Sequence, residues 1–245
     1  MFNVAGLIQA RMGSTRYPGK VLRPLAGVPM IEHIINRLRT VPELDGMVLA
    51  VPLGPLEQPL AEIAHRLGIE FFQGPEEDVL QRFIRAGDFI GAEHIVRVCG
   101  DNPLVDPELA GGLIRRHLEK KADYTLPAHP IPLGTGTEVV RLDALKKIAE
   151  NTRHARYLEH VTTYFHDYPE SFILEQVEVP DYLRHPAIRL TVDTEQDFIL
   201  LDRLYEEFFT SSGKIVDLKQ VIAHLKAHPE LTRLNANVVQ KDWRK

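Results

Sequence analysis

The feature that most restricts what this chain can fold into is a rhythm. Short apolar runs recur at Val4–Ile8, Met47–Val51, Ile69–Phe72 and Ile95–Cys99, and each interval carries a segment of helical period. The helical segments are Met30–Leu38, Leu56–Leu67, Asp78–Phe89 and Pro107–Leu118; in the first, Ile31, Ile34, Ile35 and Leu38 recur at i, i+3, i+4 and i+7. That stripe belongs to a helix with one buried face. Strand and helix in alternation give a mostly parallel sheet covered by helices, an α/β fold. Right-handed crossovers bring every strand-to-helix loop to the carboxyl edge of the sheet, where open α/β sheets bind ligands. Arg11 and Asp101 fall on such loops. A single domain over 1–245 is expected, since α/β folds of this length often share one core.

After Leu118 the rhythm changes. AHPIPLGTGTEVVRL, residues 128–142, reads as an irregular lid followed by a short strand, Glu138–Val140, within an inserted mixed-sheet region of about 122–192. Arg141–Asn151 and Arg156–Phe165 have helical composition, and Phe172–Val177 and Ile188–Val192 read as strands. A helix is expected after Asp193, with Thr194 to Asp197 approximating a capping box. Val216–Leu225 reads as the last helix, and the polar tail, 228–245, as peripheral.

The most unusual stretch is IQARMGSTRYPGK, residues 8–20. The first acidic residue is Glu32, so the first 31 residues hold four cations and no counter-charge in a chain of formal net charge -5. A glycine-bearing loop leaving a strand can aim backbone N–H groups into one concavity, and Arg or Lys side chains then complete a polyphosphate site. Gly13 and Ser14 are the natural backbone donors, with Arg11, Arg16 and Lys20 as the cations. The spacing excludes a Walker A loop: five residues separate Gly13 from Gly19, and Val21 stands where the magnesium-holding hydroxyl belongs. The dinucleotide fingerprint is missing as well. The plainer alternative is a basic surface loop closed by a Pro18-Gly19 turn.

Two carboxylates answer the loop. RVCGDNPLVDP, residues 97–107, ends a strand with Gly100-Asp101-Asn102, and RLTVDTEQDF, residues 189–198, places Asp193 at the end of another apolar run. Separately these are turn and helix-start chemistry. Converging on a triphosphate, they would hold Mg²⁺ through oxygen ligands and leave positions for water and phosphate. Attack at the α-phosphorus would then release pyrophosphate. Glu138, His160 and Arg189 are candidate acceptor contacts, each with a plainer role as strand, helix or ion-pair residue. His154, His160 and His166 lie six apart, which does not stack ligands on one helical face.

Cys99 is the only cysteine, which excludes an intrachain disulfide and points to a buried spectator. No apolar run is long enough to span a membrane, and the few cations at the front give no basis for nucleic-acid binding. The start of the chain has no basic segment before its apolar run, so no signal peptide is expected and the location reads as cytoplasmic. On the residues alone, a glycosyltransferase using a nucleotide-sugar and a catalytically inactive nucleotide-binding module stay open.

Taken together, IQARMGSTRYPGKVL, GDNPLVDP, EHVTTYF and TVDTEQDF, in that order, resemble the SpsF-type cytidylyltransferases of spore-coat and surface polysaccharide synthesis, relatives of the CMP-sialic acid and CMP-Kdo synthetases. The resemblance covers residues 3 to 210. It implies a Rossmann-like, GT-A-like nucleotidyltransferase fold, CTP and Mg²⁺ as co-substrates, CMP transfer to a sugar acid or related acceptor, and a homodimer. By motif, Arg11, Gly13, Ser14, Arg16 and Lys20 would bind nucleotide, with Arg11 and Lys20 also serving the transfer. Asp101 and Asp193 would hold the metal, Asn102 beside them would face the substrate, and Arg82 would face base or acceptor. The chain departs from the pattern at Cys99, where relatives tend to have threonine, and at Gly136, where an aspartate is expected.

Overall fold

A computed structural model describes residues 2–209 and 215–240. The strands are β1 (Val4–Gln9), β2 (Pro24–Leu25), β3 (Val28–Pro29), β4 (Gly46–Pro52), β5 (Glu70–Gly74), β6 (His94–Cys99), β7 (Tyr124–Pro127), β8 (Glu138–Arg141) and β9 (Leu174–Val177). The helices are α1 (Met30–Leu38), α2 (Gln58–Leu67), α3 (Val79–Ile90), α4 (Pro107–Lys120), α5 (Leu142–Asn151), α6 (Ala155–Glu159), α7 (Thr163–Asp167), α8 (Glu195–Phe208), α9 (Leu218–Ala227) and α10 (Pro229–Thr232). Seven strands form the main sheet in the order β5-β4-β1-β6-β8-β7-β9, and β2 and β3 form a separate small hairpin.

β1 pairs in parallel with β4 on one side and β6 on the other. The chain therefore steps outward from β1 to β4 and β5, then returns to place β6 on β1's opposite flank. The gap between the β1 and β6 loops is the topological switch point where such sheets bind ligands. Period-two alternation along β1 divides the core: Val4 and Ile8 join the cluster that contains α1, α2, α4, α8 and α9 side chains, while Ala5 and Leu7 join that of α3 and α5. On α1 the predicted stripe Ile31, Ile34, Ile35 and Leu38 is fully buried.

The expected α/β class with its mostly parallel sheet is the observed one. The mixed part is antiparallel at β6–β8 and β8–β7 and returns to parallel at β7–β9, and it extends the main sheet rather than forming one of its own. Four local readings need correction. Ile188–Val192 is no strand; its one ladder contact is an isolated bridge between Leu133 and Arg189. Arg156–Phe165 is not one helix but α6 and α7, interrupted at 160–162. β7 and the β2–β3 hairpin were not foreseen: Tyr124–Pro127 is four residues ending in proline, too short for a periodic signal. The tail beyond 228 is not wholly peripheral, because Asn235 is buried and donates to Asp197 Oδ1 at 2.9 Å; 241–245 lies outside the described residues.

Candidate active site

The loop after β1 is shaped by its own backbone. Gly19 takes a left-handed conformation (φ 68°) and its N–H reaches back to Met12 O at 3.0 Å, closing the turn that Pro18-Gly19 promised. Ser14 N–H also donates to Met12 O at 3.0 Å, whereas a Cβ built on Gly13 meets nothing within 4 Å. Met12 N–H is held in turn by the buried carboxylate of Glu57, at 3.1 and 3.2 Å. Burial raises the Glu57 carboxyl, and the Met12 N–H partly offsets that. Glu57 carried no signal in the sequence; it lies just before α2 and acts across the sheet edge.

Gly100 brings the second loop against the first. Its N–H donates to Gln9 O at 2.7 Å, and a Cβ there would stand 2.8 Å from Ala10 Cβ and 2.9 Å from Gln9 O. Only glycine permits that approach. The third loop is tied to the second by backbone: Val192 N–H donates to Asp101 O at 2.8 Å. Past it, the capping box forms with both halves, Thr194 accepting from Asp197 N–H and Asp197 from the Thr194 N–H.

These ties bring Lys20, Asp101 and Asp193 to one point. Lys20 Nζ donates to Asp101 Oδ2 at 2.9 Å, Asp193 Oδ1 at 3.1 Å and Val192 O at 2.7 Å. Arg16 reaches Asp193 Oδ1 at 2.9 Å, and Arg189 reaches Asp193 Oδ2 at 2.9 Å. Burial alone would raise the Asp193 carboxyl; Lys20, Arg16 and Arg189 outweigh it and hold the group below the usual carboxylate range. Arg189 also grips the buried Asp197, at 2.7 Å, and Gln240 at 2.5 Å. Its guanidinium is thus committed to orienting Asp193.

Beside this cluster opens a cleft of about 370 Å³ lined by Arg16, Asp101, Asn102 and Asp193 on one side and by Arg97, Cys99, Glu138, His160, Thr162 and His166 on the other. Asn102, Glu138 and His160 therefore face the same space as the carboxylate pair. Glu138 sits on a buried network: it accepts from Arg97 at 2.8 Å, from Thr162 Oγ1 at 3.1 Å and from Tyr124 Oη. Burial would raise its carboxyl, yet Arg97, Tyr124 and Thr162 together lower it. Cys99 lines the cleft, and burial pushes its thiol up to about 11, so it stays protonated at neutral pH. Arg97, Tyr124, Thr162 and His166 were missed, since each is unremarkable until the sheet aligns them.

Arg11 and Arg82 stand on the other flank of the loop. Arg11 is half-exposed, 3.8 Å from Glu76. Arg82 is buried and donates to Pro75 O at 2.6 Å, and burial, followed by the nearby Arg11, lowers the pKa of its guanidinium.

Could the two carboxylates hold a dication? Both converge within about 3 Å of one cationic nitrogen, the placement a metal would need. Among the described residues, no group of three or more His, Cys, Asp or Glu is gathered to hold a metal unaided. The donor set fits a hard cation that keeps water and phosphate for its other ligands.

A parallel-sheet switch point carrying a basic glycine loop and paired carboxylates fits a site for a nucleotide and its metal. Residues 5–230 match the cytidylyltransferase family model, and the chain belongs to that family. It is 34% identical over 235 residues to the spore coat polysaccharide biosynthesis protein SpsF of Bacillus subtilis, covering 94% of this chain and 97% of that one. Among solved structures it is similar to a cytidylyltransferase from Leptospira borgpetersenii, with a TM-score of 0.87 and 26% identity over 99% of this chain and 100% of the other. CMP:2-keto-3-deoxy-manno-octonic acid synthetase complexed with CTP shares the fold at a TM-score of 0.65 and 17% identity, over 84% of this chain and 99% of that one. No helix among the described residues is long and apolar enough to cross a membrane.

Proposed function

We propose that this protein transfers CMP from CTP to a sugar acid or related sugar or alditol acceptor, with release of pyrophosphate, in polysaccharide or cell-surface glycan synthesis. The observation that carries the reading is the meeting of Arg16, Lys20, Asp101 and Asp193 beside one cleft, which Arg16, Asp101 and Asp193 line. CTP as donor is supported by membership of the cytidylyltransferase family, and a sugar-type acceptor by the likeness to a spore coat polysaccharide biosynthesis protein.

In this reading Arg11, Arg16 and Lys20 take the triphosphate with the Gly13 N–H. Ser14 can join them by giving up its bond to Met12 O. Asp101 and Asp193 would hold Mg²⁺, which supplies charge neutralisation at the α-phosphate. The acceptor oxygen forms a bond to the α-phosphorus as the bond to the β-phosphate bridge breaks, and the charge gathering on pyrophosphate falls among cations already in place. Arg189 fixes the Asp193 carboxylate, and Arg82 stands on the base side of the loop. Asn102, Glu138 and His160 line the acceptor space. The Cys99 thiol is no nucleophile, since burial pushes its pKa up to about 11 and keeps it protonated. A cytoplasmic homodimer completes the proposal; light scattering of the purified protein tests the dimer.

The test is pyrophosphate release with CTP and Mg²⁺ against a panel of 2-keto sugar acids, sugar phosphates and alditol phosphates. Release with at least one acceptor is expected. Failure with every acceptor, or sugar transfer from a nucleotide-sugar without pyrophosphate, would overturn the reading.

A further inference from the structure

The ammonium of Lys20 has three N–H donors. All three have protein acceptors: Asp101 Oδ2 at 2.9 Å, Val192 O at 2.7 Å and Asp193 Oδ1 at 3.1 Å. None is left for a phosphate. The same ammonium stands at the point where the two carboxylates converge, which is where a dication would have to bind. Two cations cannot share that point without strong repulsion at separations of a few ångströms. Lys20 is only 8% exposed, so displacing it without a new partner strands a charge away from water.

We infer that Lys20 is a place-holder cation that couples the metal to the polyphosphate: it occupies the Asp101–Asp193 pair until a triphosphate draws it off, and the metal then takes its place. A metal arriving alone has to displace Lys20 to no partner. A triphosphate arriving alone takes Lys20 from the carboxylates and leaves them facing each other and the new anion. Arriving together, each supplies what the other removes: the phosphates receive the ammonium and the dication receives the carboxylates. The two ligands therefore bind with positive coupling, and by linkage each tightens the other by the same factor. The inference rests on the reading of Asp101 and Asp193 as the metal pair. Arg16 cannot play this part, because among the described residues its ion pair is with Asp193 and not with Asp101.

The test reads metal binding directly, with Mn²⁺ as the paramagnetic probe and no nucleotide present. Bound Mn²⁺ is measured by electron paramagnetic resonance for the wild-type chain, Lys20→Gln and Arg16→Gln, each checked for native circular dichroism. Lys20→Gln should bind Mn²⁺ about tenfold more tightly than wild type, within the 5–150-fold span usual for coupled sites. Arg16→Gln should show less than a third of that gain. No gain in Lys20→Gln, or an equal gain in Arg16→Gln, overturns the coupling through Lys20 and leaves the metal pair standing. Mn²⁺ binding in none of the proteins, even with CTP added, overturns the metal pair itself. Should Lys20→Gln not fold, Asp101→Asn decides, an isosteric change at a partly exposed carboxylate. With one hold on Lys20 weakened, CTP in EDTA should bind Asp101→Asn several-fold more tightly than wild type in a calorimetric titration. Unchanged or weaker binding overturns the inference.

Discussion

The two walls of the cleft are built on different principles. On the nucleotide wall, Arg16 and Lys20 follow β1, Asp101 follows β6 and Asp193 precedes α8, and their charges meet one another beside the cleft. On the acceptor wall, Glu138 is held from beneath by Arg97, Tyr124 and Thr162, which come from β6, β7 and the break between α6 and α7. The first wall is a set of ions whose partners can be exchanged for phosphate and metal. The second is a hydrogen-bonded hub that fixes the shape of a pocket. Changes on the first should therefore act on nucleotide binding and chemistry, and changes on the second on the acceptor.

The largest effect is expected at the nucleotide wall. Asp193→Asn should lower turnover about 10³-fold, the scale of losing one transition-state charge contact. It should also cost stability, of the order of 3–5 kcal/mol, because Lys20, Arg16 and Arg189 lose the buried anion they surround. Asp101→Asn should match it in turnover but cost only ~0–1 kcal/mol, since among the described residues the Asp101 carboxylate pairs with Lys20 alone, and it is partly exposed. Steady-state pyrophosphate assays and urea melts on both variants read the two quantities. Equal stability losses would show that Asp193 is not the hub of the ion cluster.

Glu138→Gln comes next and tests the other wall. The kcat/KM for the acceptor should fall about 10²-fold through a higher KM, as Arg97 is left with no buried counter-charge, while the CTP-dependent thermal shift is retained. Loss of CTP binding in this variant would erase the distinction between the walls.

Both expectations rest on a site only half legible in the sequence. The basic loop, Asp101 and Asp193 could be found because each lies in a short, locally unusual stretch: a run without acids, a Gly-Asp-Asn turn, a capped helix start. Of the acceptor wall only Glu138 and His160 could be named. Arg97, Tyr124, Thr162 and His166 are spread over 70 residues and gain meaning only when β8 lies between β6 and β7. The same contrast holds for the fold. The β-α units up to α4 emerged from periodicity, and Met30–Leu38 was placed to the residue. β7, the α6–α7 break and the bridged segment at 188–192 depend on tertiary contacts: Thr162 leaves the helix to reach Glu138, and Leu133 is the only ladder partner of Arg189 among the described residues.

A smaller effect depends on pH. His117 on α4 is fully buried, bonded to His94 at 3.0 Å and to Thr125 of β7 at 2.8 Å. Burial, then the neighbouring His94 and Arg141, pulls it down to about 3 from 6.5. The unfolded chain binds this proton below pH 6.5 and the folded chain only near 3, so the contribution is present above 6.5 and is lost as pH falls toward 3. Urea melts from pH 7 to 4 should show stability falling with a slope of about one proton from this group, flattened in His117→Gln. An unchanged slope in the variant would assign the acid sensitivity elsewhere.

Arg11→Gln should be the mildest change. Arg11 is half-exposed and 3.8 Å from Glu76, so stability should move by less than ~0.5 kcal/mol, with a reduced thermal shift from CTP and a lower turnover as the other consequences.

The most direct measurement is a thermal-shift screen of the four nucleoside triphosphates with and without Mg²⁺, on wild type and Asp193→Asn. At a hundredfold excess over Kd, a ligand stabilises by about 2.7 kcal/mol, which corresponds to roughly 5–10 °C for a chain of this size. Wild type should rise by that amount with CTP and Mg²⁺, less with CTP alone and little with the other three, and Asp193→Asn should lose the magnesium-dependent part. Equal shifts with all four triphosphates, or a magnesium-dependent shift retained in Asp193→Asn, would contradict a cytidylyl-transfer site built on this loop and these carboxylates.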